Sequence, residues 1–122
     1  MTEINELLAK LKELDPETFD EWRYVYRGNW EGAEYSGVKL ERTDLWLLQG
    51  VIQEAIVARG WIFSLDRVNG HYTAYIWDER DREMGAGSRD TPAEALLRAY
   101  ITALEAAEVL LRAYIVALET ES

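Results

Sequence analysis

The chain has no cysteine, a single histidine and only two prolines in its 122 residues. The missing thiol excludes a disulfide framework, a thiolate zinc site and a cysteine nucleophile. With His71 as the sole imidazole, a multi-histidine metal site cannot be built and a triad has only one candidate base. No apolar run comes near the ~20 residues needed to span a bilayer. The opening Met1-Thr2-Glu3 lacks the basic and apolar regions of a signal peptide, so a cytoplasmic location is expected, with no membrane partner. Positive charge is also scarce: 13 Lys and Arg stand against 23 Asp and Glu, for a net charge of −10. Direct nucleic-acid binding is disfavoured over most of such a surface, whereas a basic protein partner is compatible with it. Solubility alone also explains the charge.

What remains is rich in apolar and aromatic residues. Five tryptophans and 48% hydrophobic residues exclude a disordered chain, and the length suits one domain, residues 1–122. Residues 2–14 carry Ile4, Leu7, Leu8, Leu11 and Leu14 on one helical stripe. Asp15-Pro16-Glu17 restarts a short helix running through about Trp22. Residues 23–42, broken by Gly28, Gly32 and Gly37, read as loop with an edge strand over Tyr24–Tyr26. Thr43-Asp44 opens a further helix that Gly60 ends. Residues 61–68 and 71–78 alternate as two strands joined by Asn69-Gly70, a turn pair that tolerates positive φ. Gly85-Ala86-Gly87-Ser88 reads as loop, and Asp90-Thr91-Pro92-Ala93-Glu94 as a capped start of a last helix, with Asp90 at the cap. The expected class is α+β: an antiparallel sheet built on the 61–68/71–78 hairpin and packed by helices in a layered sandwich. Trp61, Phe63, Ile76, Leu96, Leu97 and Ile101 are expected in its core with Leu48, Ile52 and Ile56.

The last helix says its piece twice. Residues 94–105 (Glu-Ala-Leu-Leu-Arg-Ala-Tyr-Ile-Thr-Ala-Leu-Glu) recur 14 positions later at 108–119, and only Ala95/Val109 and Thr102/Val116 differ. At 3.6 residues per turn the second copy continues the apolar face of the first with an offset of roughly 40°. One domain needs one such helix, so the surplus predicts a homo-oligomer, a dimer, through Leu104, Leu110, Leu111, Tyr114, Ile115 and Leu118. The alternative is a fold-back at Ala106-Ala107.

The order Thr43-Asp44, Arg59-Gly60-Trp61-Ile62-Phe63-Ser64-Leu65, Tyr72-Thr73-Ala74-Tyr75-Ile76-Trp77 and Asp90-Thr91-Pro92-Ala93-Glu94 resembles the phage ABA sandwich domain family, over roughly residues 43–105. The resemblance implies a small protein of tailed phages or prophages with a layered fold. It supplies no catalytic residues; the first forty residues match its pattern less well, and the doubled helix is not part of it.

Candidate sites are few. His71 beside the hairpin turn is read as structural or solvent-facing. Asp78, Glu79, Asp81 and Glu83 are interleaved with Arg80 and Arg82, which suits a solvated charged turn better than a cation loop. The Gly85–Ser88 segment lacks the lysine of a phosphate loop. Glu3, Glu6, Glu13, Asp15, Glu17, Asp20 and Glu21 read as a solvated helix face, with phosphate mimicry as the sharper alternative. If the chain takes a small ligand, the aromatic and basic set Trp22, Arg23, Tyr24, Tyr26, Arg27, Trp30 and Tyr35 is where a base would stack. No catalytic residue, metal or cofactor is expected. The expected function is non-enzymatic macromolecular binding by a phage or prophage accessory protein, with inhibition of a host defence system as one form. A nucleotide-binding module and a phage structural or assembly accessory role are the alternatives.

Overall fold

The computed structural model describes residues 3–26 and 42–121. Three helices lead: α1 (Glu3–Leu14), α2 (Pro16–Tyr26) and α3 (Arg42–Ala58). Three strands follow, β1 (Ile62–Val68), β2 (His71–Trp77) and β3 (Glu83–Arg89), and a 30-residue helix, α4 (Pro92–Glu121), ends the chain. The sheet is antiparallel in the order β1-β2-β3, which gives the α+β layered class expected. Ile62 pairs with Trp77 and Val68 with His71 across the hairpin. Asn69 (φ 52°) and Gly70 (φ 81°) take the positive dihedrals that a two-residue turn matched to strand twist requires.

The third strand corrects the loop expected at Gly85–Ser88. Its register is Ala74↔Gly87 and Ile76↔Gly85, with an irregularity at Ile76/Trp77. The glycines are there because α4 lies directly on them. A Cβ at Gly85 would overlap the Ala99 carbonyl oxygen and sit 2.8 Å from the Ala103 nitrogen; one at Gly87 would sit 2.5 Å from the Ala95 oxygen. Ala95, Ala99 and Ala103, four apart on one helix face, complete this close approach, and all three are fully buried. No alternation of large apolar residues marks such a strand, since backbone fills the space that side chains fill elsewhere.

The rest of the first repeat copy is the hub of the core. Leu96, Leu97, Tyr100, Ile101 and Leu104 are buried with Leu8 and Leu11 of α1, Phe19 and Trp22 of α2, and Leu48, Ile52 and Ile56 of α3. Most of the expected core is therefore in place, while Trp61 and Phe63 are only partly buried against it. Leu104 is a correction: it was expected at an oligomer interface and is spent on the domain's own core. The face of the sheet that carries Ile62, Tyr75 and Trp77 is less covered than the α4 face. Ile62 is exposed and the Tyr75 and Trp77 rings stack on each other at 5.9 Å.

Two further local expectations change. Residues 24–26 continue α2 and form no strand. The cap of α4 is Thr91, whose hydroxyl accepts from the Glu94 amide at 3.2 Å, and Asp90 instead meets exposed His71 at 3.0 Å.

Candidate functional site

The most closely organised polar group in the described residues joins three helices. Asp15 caps α2: its Oδ1 accepts from the Thr18 amide at 3.3 Å, and its Oδ2 accepts from the Thr18 hydroxyl at 2.6 Å. The same Oδ2 accepts from the Tyr100 hydroxyl of α4 at 2.5 Å, a contact spanning 85 residues of chain. Arg59, one residue past α3, donates from Nε to the Tyr100 oxygen at 3.0 Å and sets Nη2 3.6 Å from Asp15. Its guanidinium also lies over the rings of Trp61 and Tyr100, at 5.4 and 5.9 Å from their centroids. A groove of about 390 Å³ opens beside this cluster, with Glu17, Glu21 and Glu54 among its lining residues.

The electrostatics identify the cluster as a clasp. Burial pushes the Asp15 carboxyl up, but hydrogen bonds from Thr18 and Tyr100 and the charge of Arg59 outweigh it and hold the group below its ordinary value. Burial, then the hydrogen bond to Asp15, pushes the Tyr100 phenol up to about 12, against the opposing pull of Arg59. Near neutral pH the carboxylate is charged and the phenol keeps its proton. Neither group sits near the pH at which general acid–base catalysis works best. The Thr18 and Tyr100 hydroxyls and Arg59 Nε are committed to fixing α2, α3 and α4 together.

A second clasp closes the turn before β3. Asp78 is buried, and its carboxylate accepts from the Arg80 and Arg82 amides at 2.8 and 3.0 Å and from Arg82 Nε at 2.8 Å. Bonds from the Arg82 backbone first, then the others, hold its carboxyl below the ordinary range against burial. Residues 79–83 are all exposed, so the turn is the solvated charged one expected, fixed by the one buried aspartate, and Asp81 takes φ 60° within it.

The expected ligand-stacking set begins on α2. Trp22 is completely buried, its ring tilted 58° against that of Phe19 with centroids 6.0 Å apart, so it has no free face for a base. Arg23, Tyr24 and Tyr26 lie in the last turns of α2. Arg27, Trp30 and Tyr35 lie outside the described residues. An apolar groove of about 420 Å³ occurs elsewhere, where Leu45 and exposed Trp46 of α3 face Tyr72, Pro92 and Ala93.

Among the described residues, most of the exposed large hydrophobic side chains lie on the second half of α4. The helix passes Ala106 and Ala107 without a break, which removes the fold-back alternative. Every residue from Glu108 to Thr120 is exposed. Val109, Leu110, Leu111, Tyr114, Ile115, Val116 and Leu118 are each between 45% and 65% exposed. Their counterparts Leu96, Leu97, Tyr100, Ile101 and Leu104 are buried in the first copy. The same side chains are thus core in one copy and surface in the next. Of the six expected interface residues, five (Leu110, Leu111, Tyr114, Ile115 and Leu118) stand free.

Comparison of the chain with protein-family models, curated proteins and solved structures finds no match. No described helix is long and apolar enough to cross a membrane.

Proposed function

We propose that this is a non-enzymatic interaction protein whose contact element is the projecting half of α4, and that its first partner is a second copy of the chain. The carrying observation is the uncovered apolar helix. Isolated exposed hydrophobics are ordinary, but seven large ones on consecutive helical turns form a patch on the order of several hundred Å², at or beyond the largest patch of a typical monomer. A helix apolar around most of its circumference belongs in a core, and here only another molecule completes one. The acidic body, at net charge −10, favours a basic protein as any further target. The phage or prophage setting that the resemblance implies belongs to this proposal, with inhibition of a host defence system as its most specific form.

The test is Leu111→Glu combined with Ile115→Glu, read by light scattering and circular dichroism. Both positions are exposed in the single chain, so folding should survive while association is lost. A double variant that associates as the parent does would show that this helix is not the contact element.

A further inference from the structure

The two repeat copies differ at only two positions, and both changes alter what the second copy fits. Ala95 is fully buried where Gly87 presses against its carbonyl; its counterpart Val109 is larger and 65% exposed. Thr102 faces solvent and donates its hydroxyl to the Arg98 carbonyl at 3.0 Å; its counterpart Val116 is apolar and exposed. A valine at the first position overpacks the glycine-lined strand that the first copy occupies. A valine at the second spreads apolar surface onto the side where the first copy meets water. The second copy is therefore poorly made to replace the first on a sheet, and better made to lie along another helix.

Charge sets the direction of that helix. Leu111, Ile115 and Leu118 share one seam at three- and four-residue spacing, and Glu108 begins it. Parallel pairing would set the Glu108 carboxylates of the two copies together and bring both acidic bodies to the same end. Antiparallel pairing separates the two Glu108 carboxylates and puts each beside Leu118 of the other copy, short of the Glu119 and Glu121 at its end. It also moves the bodies apart by the length of the segment, roughly 20 Å, beyond the ~8 Å over which salt screens charges at physiological ionic strength. Two facing patches together approach the roughly 1,000 Å² at which an interface becomes specific.

We propose that residues 108–121 of two copies pack side by side and antiparallel, about a two-fold axis at the level of residue 113. Leu111 of each copy then meets Ile115 of the other, and Glu108 lies beside Leu118 of the other. This rests on the reading of the projecting helix as a contact element between copies, and it adds the partner's orientation. The cysteine-free chain allows a clean test. Chains carrying Glu108→Cys or Leu118→Cys are oxidised with diamide, each alone and in equimolar mixture, and disulfide-linked dimer is measured on a non-reducing gel. Leu111→Cys with Ile115→Cys gives a second, independent pair, and light scattering before oxidation checks that each variant still associates. Linked dimer several-fold more abundant in the mixtures than in either chain alone is expected. Equal linkage of Leu118→Cys with itself would establish parallel pairing and overturn the proposal. Dimers by light scattering with no linkage in either mixture would overturn the orientation while leaving the contact element standing. A monomeric parent chain would overturn both.

Discussion

Adding one methyl group at Gly85 should separate β3 from α4. The new carbon would overlap the Ala99 carbonyl oxygen and approach the Ala103 nitrogen to 2.8 Å, whereas carbon contacts are favourable at about 3.5–4.0 Å. Helix and strand must therefore part by on the order of 1 Å. Backbone atoms form the obstacle, so no side-chain rotation relieves it. The gap would run along the Ala95–Ala99–Ala103 face, where a separation of this size forfeits roughly a quarter to a half of each contact's attraction. Gly85→Ala should cost about 3 kcal/mol, the upper part of the usual overpacking range. Gly50→Ala is the matched control. It lies inside α3 with open space around the added carbon, and it should stabilise the fold by about 0.5–1 kcal/mol through helix propensity. Urea unfolding followed by tryptophan fluorescence measures both. A Gly85→Ala chain within ~0.5 kcal/mol of the parent would refute the close-packing account of β3.

Two other perturbations probe the clasps. Tyr100→Phe removes a donor from Asp15 and the acceptor of Arg59, and should cost about 1–3 kcal/mol in thermal or urea unfolding. Because the Asp15 carboxyl is held below its ordinary value of 3.8, its contribution is present above that pH and is lost as pH falls through the lowered folded value. Because the Tyr100 phenol is raised, its contribution is complete below pH 10 and is lost as pH climbs toward about 12. Ultraviolet titration of the folded chain should show one late-ionising tyrosine that is missing in Tyr100→Phe. Asp78→Ala leaves the Arg80 and Arg82 amides without their acceptor and should raise amide hydrogen exchange in the 79–83 turn well before that of α3; unchanged exchange would contradict its role.

The sequence carries the hairpin openly because Asn69-Gly70 and the alternating aromatics are local signals. It carries the doubled helix as plainly, and the unbroken helical run through Ala106-Ala107 already favoured projection over return. β3 was hidden because the reason for its glycines lies in an alanine stripe on α4, and a Gly-Ala-Gly-Ser run by itself looks like a loop. The Asp15 cluster showed only its cap: Asp15 before Pro16 announces a helix start, but nothing local joins it to Arg59 or Tyr100. An aromatic near arginines suits a stacking surface, yet the place of Trp22 on α2 beside Phe19 turns it into the core. Leu104 is hidden for a related reason. The heptad pattern runs through both copies without a mark where the domain's own core ends.

The central claim is that the exposed second copy holds two chains together. Sedimentation velocity of the full chain in the tens-of-micromolar range measures it most directly. The account predicts a species of twice the 14.1 kDa chain mass, falling toward a single chain on dilution. A single 14.1 kDa species across the whole range would contradict it.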